Sequence, residues 1–224
     1  MAPSATYEEI RGIAQQAVSI FADYGYDCCL FGSTACALYG ATRRPNDVDL
    51  IVLTNEDTED LKRILVNEDS RFFLVPSRNP RATYEVLWYT LPSGRNRRRR
   101  TCKVDILTPG GNLDLPHVPR QHIKREQQLP VMPLLPLLLT KLRGWTDHRD
   151  SHRQDMQDKQ WVDVEDIDEL LAITCNTRTH ITKDNLRWLP EDFVAASQER
   201  ALEYVEEYPN SALYWETLGF HAYE

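Results

Sequence analysis

The chain of 224 residues lacks an uninterrupted apolar run of the length that a bilayer requires. Its most apolar stretch, residues 131–142, is broken by Pro133, Pro136 and Lys141, and a transmembrane helix needs roughly 20 apolar residues. The first residues also lack the basic region followed by an apolar one that a secretory leader would have. We therefore expect an intracellular protein, cytoplasmic or, as an alternative, nuclear.

The sequence also lacks a cysteine or histidine pattern typical of a metal or redox site. Its five cysteines, at positions 28, 29, 36, 102 and 175, have no such spacing, so we expect reduced thiols in the core. Lysine and arginine number 26 against 34 aspartates and glutamates, which gives a net charge of -8. That balance argues against a protein that coats nucleic acid non-specifically. Any contact with a polyanion requires a local basic patch.

The periodicity of apolar residues divides the chain into two parts. Thr6 and Glu9 have the spacing of a capping box and predict an N-terminal helix. Strands are predicted at 28–31, 47–53, 72–75, 82–91 and 102–107, with helices at 34–39 and 54–66 between them. Further helices are predicted at 134–145, 160–173, 182–189, 191–207 and 211–218. The pattern indicates an α+β half, residues 1–127, followed by an all-helical half, residues 128–224.

Two aspartates lie on one face of a predicted strand. Asp47 and Asp49 are two residues apart in Asp47-Val48-Asp49-Leu50, so both side chains project the same way. Their mutual repulsion favours a cation between them, and Mg²⁺ binds carboxylate oxygens while keeping positions open for phosphates. Asp105, on a later strand, is the candidate third ligand, and three carboxylates would suit a two-metal site. The ordinary alternatives are solvated carboxylates at the start of a strand and, for Asp105, a surface residue beside Lys103.

A glycine–serine turn precedes the two aspartates. Gly32 and Ser33 follow a short apolar strand and come before a predicted helix. Glycine permits close approach of the backbone, and the serine hydroxyl can donate to a phosphate oxygen. A turn of this kind alone is weak evidence, since most are only turns.

Three charged features have an ordinary and a functional interpretation. Lys141 has apolar neighbours on its predicted helix, so it either reaches the surface or points at a fixed anion. Five arginines lie between two predicted strands: Arg95, Arg97, Arg98, Arg99 and Arg100. They are interpreted as a solvated loop, as a contact for an RNA acceptor, or as a nuclear localisation signal. The acidic run 163–169 is interpreted as the solvated face of an amphipathic helix.

Together, these residues resemble the nucleotidyltransferase superfamily typified by DNA polymerase β. The resemblance rests on Phe31-Gly32-Ser33, a gap of thirteen residues, Asp47-Val48-Asp49-Leu50 and the later Asp105. It extends over about residues 27–171, because 137–142, followed by Trp145 and later Lys159, resembles the helices after the core in the minimal and abortive-infection-type branches. The gap lies at the long end of the family's range.

The resemblance implies a mixed sheet flanked by helices, with Mg²⁺ (or Mn²⁺) and a nucleoside triphosphate, ATP first among them, as cofactor and substrate. A nucleoside monophosphate would pass to an acceptor hydroxyl with release of pyrophosphate. Asp47, Asp49 and Asp105 would be the catalytic metal ligands. The predicted nucleotide-binding residues are Gly32, Ser33, Arg44 and Lys141.

Two rival interpretations remain at this point. The same fold could serve as a catalytically inactive module that binds nucleotide or RNA, although such a module has no need of three mutually repelling carboxylates. A metal-dependent nuclease also uses clustered aspartates, but the glycine–serine turn has no obvious role there. The acceptor, whether a small molecule, a protein side chain or an RNA end, stays open.

Overall fold

Seven strands and eight α-helices occur in the residues that the computed structural model describes, which are 4–77, 83–92 and 99–222. The strands are β1 (Cys28–Leu30), β2 (Asp47–Val52), β3 (Phe72–Pro76), β4 (Glu85–Leu91), β5 (Arg100–Leu107), β6 (Lys124–Glu126) and β7 (Leu129–Val131). The helices are α1 (Tyr7–Asp23), α2 (Gly32–Leu38), α3 (Thr58–Glu68), α4 (Leu134–Arg149), α5 (Gln154–Gln157), α6 (Gln160–Asn176), α7 (Glu191–Glu207) and α8 (Ala212–Leu218).

All seven strands join one mixed sheet in the order β3-β4-β5-β2-β1-β7-β6. The pairs β2/β5 and β1/β7 are parallel, and the other neighbours are antiparallel. The α+β fold expected from the sequence, a mixed sheet flanked by helices with a helical C-terminal region, is confirmed.

One face of the sheet is buried and forms part of the hydrophobic core. Strand residues alternate between the two faces, and Leu87, Val104 and Val48 are aligned across β4, β5 and β2 and fully buried. Helices α1 and α3 pack against this sheet. The side chain of Thr6 accepts from the Glu9 backbone N–H and the Glu9 carboxylate accepts from the Thr6 N–H, so the capping box predicted at α1 is confirmed.

The C-terminal helices pack around α4. This helix buries leucines on nearly every side and contacts α2, α6 and α7. Three buried aromatic side chains, from α4, α7 and α8, pack edge to face in this region. The ring centroids of Trp145 and Tyr204 are 4.9 Å apart, and those of Tyr204 and Trp215 are 6.2 Å apart. In the described part of the chain, no helix combines the length and apolarity needed to cross a bilayer.

Three local features differ from the prediction. The short strands β6 and β7 and the one-turn helix α5 were not predicted, because three or four residues carry too little periodicity. The helix predicted at 182–189 is wrong, since only Asp184–Leu186 forms a 3₁₀ turn. Asp, Asn and Thr favour turns over helix interiors, and such residues are frequent at the start of that segment. The division at residue 127 stays a prediction.

Candidate active site

The pairing of β2 with β5 brings three carboxylates together. Asp49 lies opposite Asp105 in the parallel ladder, and Asp47 lies opposite Lys103. One carboxylate oxygen of each aspartate lies within 4.8 Å of the other two. At that separation each pair of charges repels by about 3 kcal/mol with an effective dielectric constant near 20. The carboxylates of Asp47, Asp49 and Asp105 are called the triad below.

The turn at Gly32 is built around Asp49. Gly32 has a φ of +59°, in the left-handed region that favours glycine. A Cβ atom there would lie 2.8 Å from Cγ of Asp49 and closer still to its Oδ2. The adjacent Phe31 N–H donates to the Asp49 carbonyl at 3.1 Å. The strand and the turn therefore fit together only if position 32 has no side chain.

Two hydroxyl groups after Gly32 hold Asp47. Ser33 is buried, and its Oγ donates to Oδ1 of Asp47 at 3.3 Å. Thr34 is also buried, and its Oγ1 donates to the Asp47 carbonyl at 2.7 Å. From the sequence, Ser33 was expected to bind phosphate and Thr34 had no predicted role. In this structure, both residues position the first residue of β2. The phosphate contacts expected of Gly32 and Ser33 stay predictions.

Lys103 lies beside the triad and pairs with one of its carboxylates. Its Nζ lies 2.6 Å from Oδ2 of Asp105. Partial burial opposes the charged amine, but the hydrogen bond to Asp105 and the nearby carboxylates outweigh it and raise the Lys103 pKa. The sequence signal was present, because Lys103 and Asp105 are two residues apart on one strand face. That spacing was interpreted only as an ordinary surface pair.

The triad carries more negative charge than Lys103 offsets. Burial, together with the charges of Asp47 and Asp105, raises the pKa of the Asp49 carboxyl to about 7. Three hard oxygen donors within 4.8 Å match the carboxylate ligands that Mg²⁺ and Mn²⁺ prefer. These residues therefore fit a divalent cation.

Lys141 points at carboxylates of α6. Its Nζ lies 2.6 Å from Oδ2 of Asp166 and 3.4 Å from Oδ1 of Asp163. Burial would lower the Lys141 pKa, but the charge of Asp166 outweighs it and raises the pKa instead. The fixed anion considered for this lysine is thus supplied by the protein. Its contact with a triphosphate stays a prediction.

The interpretation of residues 163–169 as a solvated face is wrong for two of its members. Asp163 and Asp166 are buried. Arg43 donates to both Asp166 carboxylate oxygens, at 2.7 and 2.6 Å, and His148 Nδ1 lies 2.5 Å from Asp163. The carboxylates are buried because they have cationic and imidazole partners on other elements, which one amphipathic pattern does not reveal.

Arg44, the other predicted nucleotide ligand, lies in the loop before β2. It lines a cavity of about 470 Å³ with Tyr7, Glu8, Thr42 and Gln127. The structure brings it near the N-terminus of α1. Its contact with nucleotide stays a prediction.

The arginine run is described only at its end. Arg95, Arg97 and Arg98 lie outside the described residues. The guanidinium of Arg99 lies 4.3 Å from the ring centroid of Phe73. Arg100 donates to both Glu9 carboxylate oxygens, at 2.8 and 2.7 Å, so it binds α1 to the sheet.

Two crystal structures are similar to the chain over most of its length. An antigenic nucleotidyltransferase-like protein from Paracoccidioides brasiliensis is 14% identical, with a TM-score of 0.69, over 96% of this chain and 95% of that one. JHP933 from Helicobacter pylori is 12% identical, with a TM-score of 0.55, over 95% and 79%. No protein-family model and no curated protein matches the sequence significantly. The likeness establishes the fold, which the chain shares with these two proteins.

Proposed function

We propose that this protein is a metal-dependent nucleotidyltransferase. The observation that carries the proposal is the triad, three carboxylates within 4.8 Å on adjacent strands, directly beside the turn at Gly32. The nucleotidyltransferase fold supports it. The nucleotide donor is a nucleoside triphosphate, with ATP as the first candidate.

The triad would hold Mg²⁺. When bound, the metal supplies positive charge that offsets the phosphate oxygens and favours displacement at phosphorus. Asp47 and Asp49 would bind it on the side of the triphosphate, and Asp105 would bind it on the side of the acceptor. The raised pKa of Asp49 supports a cation at the triad, because partly buried carboxylates that repel one another are stabilised by positive charge.

The reaction exchanges one phosphorus–oxygen bond for another. The acceptor oxygen forms a bond to the α-phosphorus, and the bond from that phosphorus to the oxygen bridging to the β-phosphate breaks. Pyrophosphate leaves with the bonding electrons, and the proton of the acceptor hydroxyl passes to the Asp105 carboxylate. Lys103, 2.6 Å from Asp105, keeps that carboxylate in place. Gly32 leaves room for Asp49 to lie in the site.

The test is transfer of label from α-labelled ATP in the presence of Mg²⁺. We expect the D47N/D49N variant to lose transfer completely, because it removes two of the three ligands. A matched control is D60N/D155N, which changes the charge equally at two exposed side chains and is expected to keep full activity. Turnover by D47N/D49N would refute the assignment. If the unaltered protein binds ATP but transfers label to none of the acceptors tried, the protein is an inactive nucleotide-binding module instead.

A further inference from the structure

One face of the sheet beside the triad carries a row of partly exposed side chains. Phe73, Trp88 and Lys103 pair in register across β3, β4 and β5, and Lys103 pairs in turn with Asp47 of the triad. Residues paired in register project from the same face. Phe73, Trp88 and Lys103 are each partly exposed. The row therefore leads from the triad outward to two aromatic rings.

The row lies in a groove of about 620 Å³. The groove, called the aromatic groove below, is lined by Phe73, Val75, Val86, Trp88, Thr101 and Lys103. Its volume and its mainly apolar lining with few polar groups are those of a small-molecule site. Trp88 is paired with Lys103 and is therefore the diagonal neighbour of Asp105, with α-carbons about 7–8 Å apart. A molecule in the groove would lie next to the acceptor side of the triad.

The cations that the structure describes beside the groove already have partners. Lys103 is paired with Asp105. Among the residues that the structure describes near the groove, this leaves Arg99, whose Nη2 donates to Thr90 at 2.5 Å and whose guanidinium lies over Phe73. Single-stranded nucleic acid is held by a positively charged track as well as by aromatic rings, and the chain carries a net charge of -8.

We propose that the aromatic groove binds the acceptor, a small molecule with a planar aromatic body and a hydroxyl group. The body stacks on Trp88 beside Phe73, whose ring is covered by Arg99, and the hydroxyl points toward Asp105. The inference rests on the proposed function for the chemistry at the triad. Binding in the groove does not depend on the triad, so the two are tested separately.

The test measures binding of 2-(2-naphthyl)ethanol, a planar aromatic alcohol, by saturation-transfer NMR. We expect W88A to weaken the apparent affinity about tenfold, because the naphthyl ring loses its stacking partner. W88F keeps an aromatic face and is expected to retain most of the affinity. W161A is the matched control, because Trp161 is a 60% exposed tryptophan on α6 and its removal should change nothing. Thermal unfolding of each variant checks that it is folded.

The D47N/D49N variant separates the two proposals. It should bind the naphthyl alcohol as the unaltered protein does, even though it transfers no nucleotide. Equal affinity in W88A and the unaltered protein, or no binding to either, would overturn the assignment of the groove. Salt-sensitive binding of a short fluorescein-labelled RNA that is lost in W88A would also overturn it and would indicate an RNA acceptor. If the unaltered protein transfers no nucleotide but binds the naphthyl alcohol in a Trp88-dependent way, the groove remains a binding site. Only the proposed nucleotide transfer at the triad is then refuted.

Discussion

Gly32 lies where a side chain would collide with the carboxylate of Asp49. We expect G32A to abolish nucleotide transfer, because the new methyl group displaces Asp49 from the triad and alanine prefers a negative φ. Activity and thermal unfolding are measured together. Gly40 provides the control, since its φ is +102° but nothing lies within 4 Å of the point where an alanine methyl group would be.

G40A should therefore lose stability through backbone strain and keep its activity. G12A is a second control, because Gly12 lies inside α1 with open space around it, and alanine should stabilise the helix by about 0.5–1 kcal/mol. Full activity of G32A would show that the carboxylate of Asp49 does not need the space that glycine leaves.

The residue types at the site were predictable, and their partners were only partly so. Asp47, Asp49 and Asp105 are recognisable from their strands, because alternation fixes which side chains share a face. Gly32 and Ser33 were identified from the turn pattern and the family motif. The role of Ser33 was not predictable, since its bond to Asp47 depends on how α2 meets β2. The steric reason for Gly32 likewise appears only when Asp49 is placed beside it.

At the scale of elements, α6 joins the loop before β2 to α4. The side chain of Asp166 is 1% exposed and lies between Arg43 of that loop and Lys141 of α4. Glu169 accepts from the backbone N–H of Thr42 at 2.6 Å and from the Thr42 hydroxyl. The helical region is thereby attached to the segment that leads into the triad.

We expect D166N to lower the free energy of unfolding by about 3 kcal/mol, because the partly buried Arg43 loses its carboxylate partner and Lys141 keeps only Asp163, 3.4 Å away. Urea unfolding of D166N and of E165Q, an exposed neighbour on α6, measures the difference. E165Q should be within about 0.5 kcal/mol of the unaltered protein. A similarly small change in D166N would mean that the pairing contributes no net stability.

The pH dependence of this difference has a definite sign. Burial opposes the Asp166 charge, but the hydrogen bond from Arg43 and the charge of Lys141 outweigh it and lower the pKa. A carboxyl with a lowered pKa stabilises the fold above its ordinary pKa, and the contribution is lost as the pH falls through the lower folded value. The difference in free energy of unfolding between D166N and the unaltered protein should therefore be largest at pH 7 and decrease below about pH 4.

The packing of α4 on α6 explains why this network could not be predicted. Lys141 and Asp166 are far apart in the sequence and meet only because α4 and α6 lie side by side. The apolar neighbours of Lys141 indicated that it needed an anion, but a substrate phosphate and a protein carboxylate satisfy the same requirement. A lysine's sequence context does not distinguish the two.

At the scale of the whole molecule, four of the five cysteines lie in the core, so their reactivity measures how well the core is packed. Cys28, Cys29, Cys36 and Cys102 are buried and Cys175 is partly exposed. Burial raises the pKa of the thiols of Cys28, Cys36 and Cys102 to about 12 and that of Cys29 further. All four should be protonated and shielded in the folded protein.

We expect a thiol reagent at pH 8 to label one cysteine, Cys175, in the native protein and all five in denaturant. Burial raises the pKa of Cys175 as well, but its thiol is partly exposed whereas the other four are buried. Mass spectrometry counts the labels, and C175S should leave no fast-reacting thiol. Rapid labelling of two or more cysteines in C175S would contradict the packing described. A thiol with a raised pKa stabilises the fold below its unfolded pKa near 8.5, so stability should fall as the pH rises above about 9.

The pairing register of β5 against β2 links the folding of the sheet to the assembly of the triad. In β5, Cys102, Val104 and Ile106 are buried while Lys103 and Asp105 lie on the open face. A slip of one residue would turn the two charges into the core and the apolar side chains out to water. A chain that paired wrongly would thus fail to fold and never reach the stage of working poorly. The alternation that buries the core of β5 therefore also excludes the one-residue slip that would separate Asp105 from Asp49.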